Sequence, residues 1–192
     1  MRVWCALTAR ELDAEHADLI VFPEGVCENE IADVERSHPD AMIVAAIVEN
    51  GRSRGVLRHR RENRIEYLKV ATDGRTVGTG DYRQSPVYES EDMCVGVLIC
   101  MDTENRQFSR SVIEKIRDSS SALKLLCVPA DMGDYWFSGD RLPFPQVFEG
   151  IHLILCNHTK THQDRCKSFI TDTRGTKIVV QQQEECISAE LP

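Results

Sequence analysis

The sequence predicts an α/β fold in which two sheets pack as a sandwich with helices on the outside. Short apolar runs of strand length recur along the 192 residues and outnumber the helical stretches. The helical stretches fall between the strands rather than in one block. Three runs also end on a reactive side chain. Asp18-Leu19-Ile20-Val21-Phe22-Pro23-Glu24 ends on a carboxylate, and Ile65-Glu66-Tyr67-Leu68-Lys69 ends on an amine. Val95-Gly96-Val97-Leu98-Ile99-Cys100-Met101-Asp102 carries a thiol at its end. Strand termini that each deliver one group are how an α/β enzyme assembles a site.

Taken in order, Val3 to Leu7 reads as a short strand and Thr8 to Ala17 as a short helix. Leu19 to Phe22 is a buried strand stopped by Pro23, and Glu28 to Arg36 is a helix. Ala41 to Val48 is a continuous apolar run ended by the turn signal Asn50-Gly51. Gly55 to Arg60 and Arg64 to Val70 form a hairpin, and Asp73-Gly74 is a further turn. Pro86 to Tyr88 and Met93 to Ile99 are strands. Phe108, Val112, Ile113 and Ile116 recur at helical spacing and predict a helix from Asn105 to Arg117. Leu123 to Val128 is another buried strand, Pro145 to Glu149 a short helix, and Ile151 to Cys156 a strand. Lys167 to Asp172 and Lys177 to Gln181 flank a turn at Arg174-Gly175, and Cys186 to Ala189 is the last strand.

The length suits a single domain over residues 1–192 with a sizeable core. A hydrophobic fraction of 42% and a charged fraction of 28% describe an ordinary soluble protein. A net charge of −8 argues against a general nucleic-acid binder. No apolar run is long enough to span a bilayer, so no membrane partner is expected. Met1-Arg2-Val3-Trp4-Cys5 does not read as a signal peptide. Of the eight cysteines, Cys94, Cys100, Cys127 and Cys156 fall in or beside buried strands, where a thiol behaves as a small hydrophobe. The expectation is thiols in a reducing cytoplasm.

In their order and setting, Phe22-Pro23-Glu24, Tyr67-Leu68-Lys69 and Val97-Leu98-Ile99-Cys100-Met101-Asp102 resemble the motifs of the carbon–nitrogen hydrolase (nitrilase) superfamily. Thr79-Gly80-Asp81 resembles the turn before its nucleophile strand pair, and Val128-Pro129-Ala130 the strand after its nucleophile helix. Glu149-Gly150 with Ile151 to Asn157, and Ser168-Phe169-Ile170-Thr171-Asp172 with Gly175, resemble later segments. The resemblance implies an αββα two-sheet sandwich and hydrolysis of an amide, a carbamoyl group or, less often, a nitrile, without a metal or cofactor. It implies Cys100 as nucleophile, Glu24 as general base and acid, and Lys69 as oxyanion stabiliser, and a small-molecule substrate. It also implies a homodimer or higher homo-oligomer, for which the apolar stripe from Phe108 to Ile116 is the candidate face.

The chemistry is coherent without the resemblance. A thiol needs a base within reach near neutral pH. Glu24 can take that proton and return it to a leaving amine. Lys69 and the backbone N–H of Met101 can hold the charge that develops on an attacked carbonyl oxygen. Asp131, Tyr135 and Trp136, with Phe137, stand in or beside a loop after a strand end, and Asn157 ends a strand, so these are candidate substrate contacts.

Two departures stand against the family pattern. Little sequence precedes Leu19, which predicts an abbreviated N-terminal strand and helix. Family members often carry a second glutamate after the lysine. Here residues 70–79 hold no Glu, and Asp73 is their only carboxylate. Tyr82-Arg83-Gln84 offers another register for the lysine motif, with Gln in place of Lys. It is set aside because Gln84 lies only 16 positions before Cys100, against 31 for Lys69, which leaves no room for a strand pair.

Bland readings compete with the sharp ones. Cys100 alone reads as a core thiol, Glu24 as a helix cap, and Lys69 as an edge-strand lysine. Cys156, His158, His162 and Cys166 mimic a zinc pattern, but their spacing suits a strand running into a polar loop better. Arg52, Arg54, Arg58, His59, Arg60, Arg61 and Arg64 make a dense basic hairpin. The bland reading is a solvated strand pair; the rival is a catalytically inactive interaction protein that binds an anionic partner there.

Overall fold

The computed structural model describes residues 1–6, 16–72, 77–131, 149–157, 167–180 and 186–192. In chain order its elements begin with β1 (Arg2–Cys5), β2 (Leu19–Val26), α1 (Glu28–Ser37), β3 (Met42–Glu49), β4 (Arg52–His59) and β5 (Glu62–Leu68). Then come β6 (Val87–Glu89), β7 (Met93–Val97), a 3-10 turn (Cys100–Glu104), α2 (Arg106–Asp118) and β8 (Leu123–Ala130). β9 (His152–Asn157), β10 (Phe169–Thr171), β11 (Lys177–Val180) and β12 (Ile187–Glu190) complete the set. They form two six-stranded sheets, ordered β12-β1-β2-β3-β4-β5 and β11-β10-β9-β8-β7-β6. Each sheet has three parallel strands inside it, β1-β2-β3 and β7-β8-β9, with antiparallel neighbours on both sides.

The central strands β2 and β3 of the first sheet are nearly continuous apolar runs because both of their faces are covered. Leu19, Val21, Met42, Val44, Ala46, Leu57 and Ile65 point at the second sheet. Ile20, Phe22, Ile43, Ala45, Ile47 and Val56 point the other way, onto Ile31 and Val34 of α1. In the second layer Phe108, Val112, Ile113 and Ile116 of α2 lie against the sheet at 0–3% exposure. Burying each of them stabilises the fold by about 1.5–3 kcal/mol. The layers are therefore helix, sheet, sheet, helix, as the sequence predicts. Caps fix both helices. The Cys27 N–H donates to Glu30 Oε2 at 2.9 Å, and the Phe108 N–H donates to Asn105 Oδ1 at 3.2 Å.

Several expectations change. β1 spans four residues between β12 and β2, and the helix expected over Thr8 to Ala17 lies almost wholly outside the described residues, as does the helix over Pro145 to Glu149. The stripe from Phe108 to Ile116 does not face outward. It is spent on the core, and the outer side of α2 shows Arg106, Gln107, Arg110, Glu114, Lys115 and Arg117 to solvent. A helix needs only one apolar stripe, and the nearer sheet takes it. The strand at Leu19 does not stop at Pro23 but runs to Val26.

Candidate active site

A β-bulge sets the direction of Glu24. Val21 stands opposite Val44, and Glu24 opposite Ala46, so β2 carries one residue more than β3 over that interval. The strict alternation of β2 would turn Glu24 toward α1. The extra residue at Pro23, which has no N–H to give to the ladder, turns it inward beside Ala46, which faces the second sheet. A second irregularity follows at Gly25, whose φ of 110° is open to glycine, and Val26 returns to the α1 side opposite Ile47.

Lys69 follows β5 and shares the inward face of Ile65 and Tyr67. It is 0% exposed and Glu24 is 5% exposed. Its Nζ donates to Glu24 Oε1 at 2.8 Å and to Oε2 at 3.1 Å. The backbone is fixed as well. The Lys69 N–H donates to Ser53 O, and the N–H groups of Thr79 and Gly80 donate to Lys69 O.

Cys100 opens the 3-10 turn that follows β7, with φ of 41°. A non-glycine residue in the left-handed region carries strain of the order of 1–3 kcal/mol, and such residues concentrate at working sites. Neighbouring bonds hold it there. The Asp102 N–H donates to Ile99 O at 2.7 Å, and Thr103 Oγ1 donates to Cys100 O at 2.7 Å.

Asp102 ties this turn to the end of β5. Its Oδ1 accepts the N–H groups of Val70 at 2.9 Å and Ala71 at 2.7 Å. Its Oδ2 accepts from the Tyr67 hydroxyl at 3.1 Å, and that hydroxyl accepts the Ile99 N–H at 2.6 Å. Residues 67 to 71 and 99 to 102 are thus one hydrogen-bonded unit, which sets Lys69 and Cys100 on the two sides of a common clamp. Burial pushes the Asp102 carboxyl up to about 6, against the pull of its three donors and the Lys69 charge. Burial, and then the Asp102 charge, hold the Tyr67 phenol well above its ordinary value. Sequence reasoning missed Tyr67 and Asp102 as site residues. The available signal was that each stands two positions from a residue it did select.

Solved structures resemble this chain closely in fold. An amidase of the nitrilase superfamily from Nesterenkonia superposes with a TM-score of 0.66 at 18% identity, over 100% of this chain and 90% of that one. A CN-hydrolase superfamily protein from Xanthomonas campestris, with an arsenic adduct in its active site, gives 0.68 at 13% identity, over 98% and 89%. A Saccharomyces cerevisiae member of the nitrilase superfamily gives 0.65 at 10% identity, over 98% and 89%. The fold is that of the carbon–nitrogen hydrolases. No family model and no curated protein matches the sequence.

Within this carbon–nitrogen hydrolase fold, the other selected residues fall as follows. Met101 is partly exposed, directly after Cys100. Asp131 follows β8 and Asn157 ends β9, where it is 0% exposed. Ala130 stands opposite Asn157, so Cys100, Asp131 and Asn157 lie at the C-terminal ends of three adjacent parallel strands. The Asn157 N–H donates to Ser168 Oγ at 3.0 Å. Tyr135, Trp136, Phe137 and Asp73 lie outside the described residues. So do His158, His162 and Cys166, while Cys156 is buried in β9 with its Sγ 3.8 Å from Ala6 O.

The structure also corrects the spacing argument against Gln84. A strand pair, β6 with β7, does fit between Gln84 and Cys100. What separates the two registers is burial. Gln84 is partly exposed and clamps the Leu68 backbone, accepting its N–H at 3.0 Å and donating to its O at 3.2 Å. The basic hairpin faces the chain's own acids. Glu28 of α1 accepts from Arg54 and from Arg58, Glu66 accepts from Arg54, and Arg60 and Arg64 lie near Asp40 and Glu62. Burial raises the Glu28 carboxyl, but the bonds and charges of Arg54 and Arg58 outweigh it and hold it below its ordinary value.

Among the described residues, no helix is long and apolar enough to cross a membrane.

Proposed function

We propose that this chain is a cysteine-dependent hydrolase of non-peptide C–N bonds, acting on an amide or carbamoyl group in preference to a nitrile. One observation carries the reading: the ion pair of Glu24 and Lys69, sealed between the sheets and clamped to the turn of Cys100. A buried ion pair is a poor way to stabilise a fold, because desolvating both charges offsets most of their attraction. A fold that keeps one between its sheets, on a segment that Asp102 ties to the turn of Cys100, has a use for the charges.

In the proposed reaction Glu24 accepts the Sγ proton of Cys100 as the sulfur attacks the carbonyl carbon. The C–S bond forms and the carbonyl electron pair moves to oxygen. The Lys69 ammonium and the Met101 N–H hold that oxyanion where water is scarce. Loss of one such donor costs about 3–4 kcal/mol of barrier in other hydrolases. The C–N bond then breaks, and the proton on Glu24 passes to the departing nitrogen. Ammonia or an amine leaves and a thioester remains. A water molecule attacks the thioester, losing its proton to Glu24. The C–S bond breaks, the carboxylic acid leaves, and the thiol regains its proton.

An amide preference is in keeping with the Nesterenkonia neighbour, which is an amidase. The small-molecule substrate, homo-oligomeric state and cytoplasmic setting expected from the sequence belong to the same proposal. Ammonia release is measured over a panel of simple amides and carbamoyl compounds, with Cys100→Ala as control. Turnover that disappears in the variant is the expected outcome. Equal release by both proteins, or no turnover across the panel, overturns the reading.

A further inference from the structure

Ser53 is 1% exposed, and its hydroxyl has no hydrogen-bonding partner among the described residues. A buried hydroxyl left without a partner costs free energy, and native folds rarely keep one without a reason. Its direction follows from β4. Arg54, Val56 and Arg58 face α1: the arginines bond Glu28, and Val56 packs in the α1 layer. Ser53, Gly55 and Leu57 therefore face the second sheet. Gly55 confirms the direction, since a Cβ built there lies 3.2 Å from Ile99 Cδ1, in the residue before Cys100.

The pairing register then puts Ser53 beside the Glu24–Lys69 pair. Arg54 stands opposite Leu68 and Gly55 opposite Tyr67, so Ser53 stands opposite Lys69, whose N–H its carbonyl accepts at 2.9 Å. Directly opposed residues present their side chains on one face, with Cβ atoms about 5 Å apart. The hydroxyl thus opens onto the wall that carries Lys69. The acceptors of the ion pair and the clamp already take hydrogen bonds within the fold, though each carboxylate keeps some capacity. Both Glu24 oxygens accept from Lys69, both Asp102 oxygens accept from the clamp, and the Cys100 carbonyl accepts from Thr103. Ser53 Oγ keeps its acceptor capacity.

A substrate amide brings N–H donors into this interior, and each needs an acceptor there. We propose that Ser53 is a substrate contact whose hydroxyl accepts an N–H of the scissile amide, favouring amides over esters of the same acid. This rests on the hydrolase reading above. Ala at position 53 removes a hydroxyl that bonds no described residue, so Ser53→Ala keeps or raises its Tm, whereas a structural hydroxyl would lower it.

The test compares a hydrolysed amide of the panel with the methyl ester of the same acid, which has no N–H. Ser53→Ala lowers kcat/KM for the amide by about 10–100-fold, leaves the ester within about twofold, and Ser53→Thr restores most of the amide rate. Equal losses on both substrates, or no loss on the amide, overturn the assignment. Binding separates it from the reading it rests on. Propionamide is titrated by ligand-observed NMR into Cys100→Ala with and without Ser53→Ala. A weaker Kd in the double variant supports the contact even where the wild type releases no ammonia. An unchanged Kd, or no binding to either protein, overturns it.

Discussion

Replacing Lys69 by Met isolates the central ion pair. The two side chains are 0% and 5% exposed and meet at 2.8 and 3.1 Å. Met fills nearly the same volume, so the change removes a charge and little packing. Glu24 is then left buried without its ammonium. Breaking a buried pair in this way costs about 3–5 kcal/mol, whereas an exposed pair costs about 0–1 kcal/mol. For a chain of 192 residues this corresponds to a fall in Tm of about 6–20 °C. Lys69→Met with Glu24→Leu removes both charges and recovers stability to within about 1–2 kcal/mol of the wild type, or beyond it. Urea denaturation at pH 7 measures both, and ammonia release is lost in both. A single variant that loses under about 1 kcal/mol would refute the buried pair. So would a double variant no more stable than the single one, since an unpaired carboxylate could not then be the source of the loss.

Other outcomes follow from the clamp. The Asp102 carboxyl titrates at about 6 in the fold, above its unfolded value near 4, so the folded state favours the protonated form. Its contribution is full below pH ~4 and is lost as pH rises through ~6, a change of about 3 kcal/mol. Asp102→Asn removes that part of the pH–stability curve; urea denaturation of both proteins from pH 4 to 7 checks it, and parallel curves refute it. Tyr67→Phe keeps the ring beside Phe108, with centroids 5.9 Å apart, but takes the acceptor from the Ile99 N–H and a donor from Asp102. A loss of about 1–3 kcal/mol is expected by thermal unfolding. The rate of iodoacetamide alkylation at Cys100 should change with it, because the Ile99 anchor sets the Cys100 turn; an unchanged rate refutes the link.

The sequence made the sheets legible because helices cover their outer faces. Unbroken runs such as Leu19 to Phe22 and Ala41 to Val48 follow directly from two-sided burial. The same runs concealed the bulge at Pro23. A proline in a strand reads as its end, because nothing in a one-dimensional pattern says that the partner strand lacks a residue there. The α2 stripe was legible as a stripe, but periodicity does not say which neighbour covers it. Glu24, Lys69 and Cys100 stood out because each puts chemistry at the edge of an apolar run.

What joins the last two left no such mark. Asp102 reaches Val70 and Ala71 through backbone N–H groups, which every residue but proline has, and Tyr67 reaches Ile99 in the same way. Ser53 was hidden for the same reason, since its carbonyl takes the Lys69 N–H while its hydroxyl bonds no described group. A sequence therefore displays the groups that react more readily than those that aim them. In this chain one carboxylate and one phenol that bond mostly to main chain join the segment of Lys69 to the turn of Cys100. A change at Asp102 or Tyr67 should thus alter the setting of Cys100 without touching any of the three side chains assigned to the chemistry.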